Sequence, residues 1–450
     1  MGGKSQQTGD LNWWKLAILG LGFTTGTGFF LGSSLAIEQS GFSVLILFLV
    51  AAIGTYFVYN SLASMIAQHA EKGSFRAYST NAFGRWAGFS HGWIYWLSEI
   101  LILGSQLTAI GLFTRFWFPN VPLWLLAAIY ALLGVGIVLL GTKGFEKAEN
   151  IFAVVKITAI LLFVVLAVLV ISGVLGQENA HMHTPQQMSD FFSHGFMGMW
   201  TALIYVFFAF AGIEVMGIMA GQLKNPKDAP KSGLVMLSVI AWLYIVSIGF
   251  AMLLAPLENF TTDESPFVTA LNDLHYTVIV HIFNGVLIIA GFSSLVASLF
   301  SVTQMMFTIA EAGDAPKLLT KKTKKNLPYM SLLLTVAGMT VSIVTALLLP
   351  QKVYEYITTA GGLMLLYSWL FMVFAARKLL KLSAWGHIKT IGAVILIFIA
   401  ASGTLFDPMS RPGFFISLAF VLLIGIVVLF MRKKWKKNKE GHTRRVKPLI

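Results

Sequence analysis

Leu21-Gly22-Phe23-Thr24-Thr25-Gly26-Thr27-Gly28-Phe29-Phe30-Leu31-Gly32 breaks the first long apolar segment of a 450-residue chain with four glycines and three threonines. In a helix interior Gly26 and Gly28 each cost about 1 kcal/mol against alanine, and threonines crowd the same turn, so the segment is expected to split into two short helices with unwound backbone between. At membrane depth, irregular backbone is tolerated only where protein buries it or where it lines a cavity. The break therefore predicts a site near the bilayer midplane. The freed amides of Gly26, Thr27 and Gly28 suit a carboxylate at a helix N-terminus. The carbonyls just before them, near Phe23 and Thr24, suit an ammonium or another cation.

The membrane setting follows from composition: 57% of residues are hydrophobic and 11% charged, with a mean hydropathy of +0.77. At about 20 residues per span, near-continuous apolar blocks make an all-α polytopic membrane protein. The absence of cysteine from the sequence excludes disulfides, thiolate metal sites and cysteine nucleophiles. The first apolar run is too long and too broken for a cleaved signal peptide and is expected to remain as a membrane segment.

Twelve spans are expected, at 14–38, 41–68, 86–116, 122–141, 151–175, 196–222, 232–256, 277–310, 329–350, 354–376, 386–406 and 413–431. Residues 71–85 and 142–150 read as cytoplasmic connections and 176–195 as a polar outer loop with His181, His183 and His194. The net charge of +13 is distributed to match. Of 32 lysines and arginines, Arg115, Lys352 and Arg411 fall outside and Lys156 within a span, leaving 28 on the cytoplasmic side. The basic run that begins at Arg432 is a flank resting on anionic lipid rather than a nucleic-acid site. An even count of spans puts both termini in the cytoplasm.

The sixth span repeats the logic of the first, because Phe207-Phe208-Ala209-Phe210-Ala211-Gly212-Ile213-Glu214 sets small residues and an acid in mid-membrane. It too should unwind. The two breaks are five spans apart, and five is odd, so a second block of the same shape enters the membrane inverted. This organisation is that of inverted-repeat transporters, with two discontinuous helices facing a central site. The division expected is a tail at 1–13, spans one to five at 14–175, spans six to ten at 196–376, two extra C-terminal helices at 386–431 and a basic tail at 432–450.

These residues resemble the amino acid permeases of the amino acid, polyamine and organocation transporter superfamily, in its bacterial amino acid transporter branch. Thr25 to Gly32 is similar to the first-helix signature of that family. Phe210 to Glu214 with Ala220-Gly221-Gln222 and Asn225-Pro226 is similar to its sixth-helix signature, and Glu311-Ala312-Gly313-Asp314-Ala315-Pro316-Lys317 to its loop between spans eight and nine. The resemblance implies a leucine-transporter-type fold that imports an amino acid into the cell across the cytoplasmic membrane. It implies that the amides of Gly26, Thr27 and Gly28 take the substrate carboxylate, that carbonyls of Thr24, Phe208 and Ala211 take the ammonium beside Gly212, and that Phe208 gates the site. Lys156 lies where sodium-independent relatives carry a lysine whose ammonium replaces sodium, which implies proton coupling with no other cofactor. The alternative for Lys156 is to snorkel to the cytoplasmic surface. Ser293 and Ser294 are neighbours of the same region.

Glu214 matches the family's mid-membrane acid and is neutral, hydrogen-bonded to the broken backbone, or a proton carrier. Departures from the family pattern fall at Gln106 and Gln222, where relatives often have glutamate. Glu99 shares one helical face with Gln106 and either faces the substrate, as a further proton site, or pairs with a neighbouring helix. Small residues at the breaks suggest a modest neutral substrate such as threonine, serine or alanine. An obligate exchanger and a non-transporting sensor on the same fold are the alternatives. A dinucleotide enzyme fails on glycine spacing, a hydrolase lacks its motif, and the outer histidines are too few for a metal site.

Overall fold

The computed structural model describes residues 9, 11–71, 73–175, 182–274, 277–323, 326–348 and 352–445. Lys72, His181, the first eight residues and the last five lie outside that set. The described chain is helical throughout, and its helices run in order α1 Trp13–Thr24, α2 Thr27–Phe30, α3 Gly32–Ser40, α4 Val44–Gln68, α5 Ser74–Phe83, α6 Arg85–Arg115, α7 Leu123–Leu139, α8 Thr142–Ile171 and α9 Met188–Phe191. The second half gives α10 Gly195–Phe208, α11 Ile213–Ala220, α12 Ala229–Leu254, α13 Pro266–Asp273, α14 Thr277–Glu311, α15 Tyr329–Leu348, α16 Val353–Leu379, α17 Ala384–Gly403 and α18 Arg411–Arg445. Among the described residues, the one β-type contact is a bridge between Leu11 and Leu223.

Nine stretches among the described residues are long and apolar enough to cross a bilayer, with Leu123–Leu139 and Tyr329–Thr345 as shorter apolar helices. Large apolar side chains stand exposed on the outer helices, such as Leu132 on α7, Phe398 on α17 and Phe430 on α18. Such a surface is stable only against hydrocarbon, so this is a multi-pass membrane protein.

Several connections depart from the sequence reading. Residues 142–150 form the first turns of α8 rather than a loop; Glu146, Lys147 and Ala148 are good helix formers, and charge alone does not end a helix. Residues 71–85 contain α5, the outer loop contains the short α9, and α18 carries on past the expected membrane edge to Arg445.

The core is organised on α6, which packs most extensively against α16 and α14. The turn after α14 is fastened to α5 and α6. Asp314 is buried and accepts from Arg76 and, at 2.8 Å, from Arg85 Nε. Arg85 also donates to the Gly313 carbonyl at 3.1 Å, and Trp93 to the Asp314 carbonyl at 3.2 Å. Two guanidinium groups pair with one buried carboxylate, and the adjoining carbonyls take the remaining donors.

Candidate functional site

Both expected breaks are present. α1 stops at Thr24, Thr25 and Gly26 are extended, and α2 resumes at Thr27. The Gly26 carbonyl accepts from Phe29 and Phe30 at 3.0 Å, while the amides of Gly26, Thr27 and Gly28 have no backbone acceptor among the described residues. In the sixth segment, α10 stops at Phe208 and α11 begins at Ile213. Gly212 between them has φ +113°, a region that side chains rarely adopt.

The two breaks touch. A Cβ on Gly212 would lie 2.8 Å from the Phe23 carbonyl oxygen, and one on Gly28 would lie 2.9 Å from both the Phe208 carbonyl oxygen and its ring. Glycine is therefore required at both places for the backbones to approach. The Phe208 ring covers Gly28 and rests on α16, where a Cβ on Gly362 would be 3.5 Å away.

The last carbonyls of the first helix half find partners on other helices. Lys156 of α8 is fully buried and donates from Nζ to the Gly22 carbonyl at 2.8 Å and to Ser294 Oγ at 3.0 Å. The Ser294 hydroxyl of α14 is shared between the Ala290 carbonyl of its own helix at 3.3 Å and the Thr25 carbonyl at 3.4 Å. The Lys156 ammonium thus does not reach the cytoplasmic surface; the short route to the break carbonyls is taken instead. Ser293 beside it is buried.

Tyr244 of α12 joins the two breaks directly. Its hydroxyl lies 3.3 Å from the Thr24 carbonyl oxygen and 3.4 Å from that of Ala209, and its ring stacks on Phe29 at 3.7 Å. One proton serves two acceptors, so the hydroxyl can favour either break as they shift. Sequence reasoning missed this residue, and its only signal is a phenol in the middle of an apolar span. Trp369 was missed for the same reason.

Glu214 turns back on its own break: Oε2 accepts from the Gly212 amide at 3.0 Å and Oε1 from the indole of Trp369 on α16. Of the three states open to it from sequence, contact with the broken backbone is the geometry found. The Phe208 carbonyl, expected to take an ammonium, already accepts from Ala211 at 3.0 Å and keeps a second lone pair.

Gln106 and Glu99 are buried on α6 beside α14. Gln106 Nε2 donates to Ser298 at 3.3 Å, and Gln106 Oε1 and Glu99 Oε2 have no hydrogen-bond partner among the described residues. Gln222 serves the backbone, its carbonyl accepting from Leu11 at 3.1 Å. Of the outer histidines, His183 stands 3.9 Å from Asp273 and His194 near the Gln39 carbonyl; no group of three metal-ligating side chains occurs among the described residues.

Two broken helices facing each other across a buried, amide- and carbonyl-rich centre define a membrane transporter. Residues 15–442 match the model of the amino acid permease family, to which the chain belongs. An uncharacterized transporter of Bacillus subtilis, YcgH, is 54% identical over 439 residues, covering 98% of this chain and 97% of that protein. The aromatic amino acid transport protein AroP of Escherichia coli K12 is 27% identical over 438 residues, 94% of this chain and 95% of that protein. An uncharacterized amino acid permease of Bacillus subtilis, YtnA, is 28% identical over 372 residues, covering 81% and 80%.

Proposed function

We propose that the chain is a sodium-independent, proton-coupled importer of a small neutral amino acid, working by alternating access across the cytoplasmic membrane. The observation that carries this reading is the Lys156 ammonium, buried and bonded to the Gly22 carbonyl at 2.8 Å. A buried, tethered cation holds α8 to the first break while charged and lets go on losing its proton, which links proton movement to opening. The substrate carboxylate lies on the amides of Gly26, Thr27 and Gly28. Its ammonium lies on the carbonyls of Thr24, Phe208 and Ala211, with Gly212 giving room and Phe208 as the gate. Glu214 and Glu99 are further proton sites and Gln106 a neighbouring polar contact.

Nine long apolar stretches and two shorter ones among the described residues, with the stretch 27–68 folding back at Gly41, support twelve spans. Residues 14–175 and 196–376 are then the inverted repeats, 386–431 the two added helices, and both termini are cytoplasmic. The Phe208 ring lodged between Gly28 and Gly362 supports a small side chain, in contrast to the aromatic substrates in AroP's name.

The test is uptake of labelled threonine, serine and alanine into proteoliposomes without sodium, under an inward proton gradient, with phenylalanine as competitor. Accumulation of the small substrates that phenylalanine does not suppress is expected. Uptake that occurs only against preloaded amino acid, or that needs sodium, would contradict the proposal.

A further inference from the structure

An amino acid anchored at both breaks points its side chain toward whichever wall is not already filled. Ser294 of α14 stands 2.7 Å from where a Cβ on Gly26 would sit. Tyr244 of α12 backs the Thr24 and Ala209 carbonyls, and Lys156 of α8 holds that of Gly22. The wall that remains is α16, with α6 behind it.

Tyr354, Thr358 and Gly362 recur every fourth residue along α16, so they share one face. Gly362 is the position packed on the Phe208 ring. Thr358 is already engaged, its hydroxyl 2.7 Å from that of Ser105 on α6. Tyr354 is not. Its hydroxyl lies 3.5 Å from where a Cβ on Gly32 would sit, and the same point is 4.0 Å from Phe208 Cδ1, which places the phenol beside the gate on the α3 side of the first break. Tyr354 is 3% exposed, and its hydroxyl has no hydrogen-bond partner among the described residues. A buried phenol normally finds a partner, because leaving it unpaired costs more than the bond would contribute. A site that lacks one until the substrate arrives discriminates by side-chain chemistry.

We propose that the Tyr354 hydroxyl is the hydrogen-bond partner of a hydroxyl on the substrate's side chain, so that the site selects threonine or serine over side chains of the same size without one. This deepens the import reading above and rests on it. Threonine and valine are the decisive pair, being equal in shape and differing by one hydroxyl.

Initial rates of both substrates are measured in proteoliposomes for the native chain and Tyr354→Phe, with alanine as the control for folding. In the native chain threonine should exceed valine in kcat/KM on the order of tenfold or more. Tyr354→Phe should raise the threonine KM by about tenfold, leave alanine and valine near their native rates, and bring the ratio close to one. Equal native efficiency for threonine and valine, or a variant that slows all three substrates alike, overturns the proposal and leaves import standing. The native ratio needs no variant, so poor folding of Tyr354→Phe does not remove the test. No uptake of any amino acid overturns the import reading and this proposal together.

Discussion

The first break is held from outside, by Lys156 of α8, Ser294 of α14 and Tyr244 of α12, whereas the second is closed on itself, its Gly212 amide bonded to Glu214 two residues on. The partners of the first belong to other helices and so report on how those helices stand. The second draws on two external groups, Trp369 of α16 and the Tyr244 hydroxyl that it shares with the first. A break capped by its own side chain can travel as a unit, while one tied to three neighbours can be released by changing a single tie. On the proposed reading, a proton lost from Lys156 acts at the first break, while Glu214 caps the second.

The largest effects are expected where the breaks meet. Gly28→Leu drives a side chain into the Phe208 carbonyl and ring, 2.9 Å from its Cβ, and should lower amino acid binding at least a hundredfold while the protein still inserts, read by binding to purified protein of native size. Normal binding would mean that the first break does not hold the substrate. Gly212→Ala meets both a φ of +113° and the Phe23 carbonyl at 2.8 Å, and should cost folding as well as binding. Thermal unfolding of the two variants separates a blocked site from a broken scaffold.

Glu214→Gln comes next. One amide face is a donor, so it cannot accept from both Gly212 and Trp369, and a buried donor left unpaired costs about 1–3 kcal/mol. Uptake should fall by about tenfold or more, with Trp369→Phe giving a similar loss because it removes the other half of the pair. Unchanged uptake in both would show that the second break needs no cap. The smallest effect is expected for Tyr244→Phe, which keeps the stacking on Phe29 and removes a long hydrogen bond shared between the breaks. A several-fold slower uptake with an unaltered KM would place Tyr244 in the movement of the breaks rather than in binding.

The first break was legible because a cluster of glycines and threonines in an apolar run conflicts with helix formation, and the second because small residues and an acid interrupt a span; both signals are local. The burial of Lys156 was legible as one of two outcomes, since an ammonium two turns inside a span can snorkel or turn inward. The choice depended on Gly22 and Ser294, which lie 134 and 138 residues away in the chain. Tyr244, Trp369 and the Asp314 clasp were not legible as contacts, because tyrosine and tryptophan in a membrane span look the same in sequence whether they pack or bond. The start of α8 at Thr142 is not legible from its charged residues, because a helix can leave the bilayer without ending.

Lys156 is the residue on which proton coupling rests, and the most direct measurement is steady-state alanine accumulation in proteoliposomes under an inward gradient of about one pH unit, for the native chain and Lys156→Ala. One proton moved per substrate makes about 1.4 kcal/mol available, enough for about tenfold accumulation. The native chain should approach that ratio, and Lys156→Ala should equilibrate alanine without concentrating it. Accumulation by the variant equal to that of the native chain would contradict the claim that Lys156 couples the first break to protons.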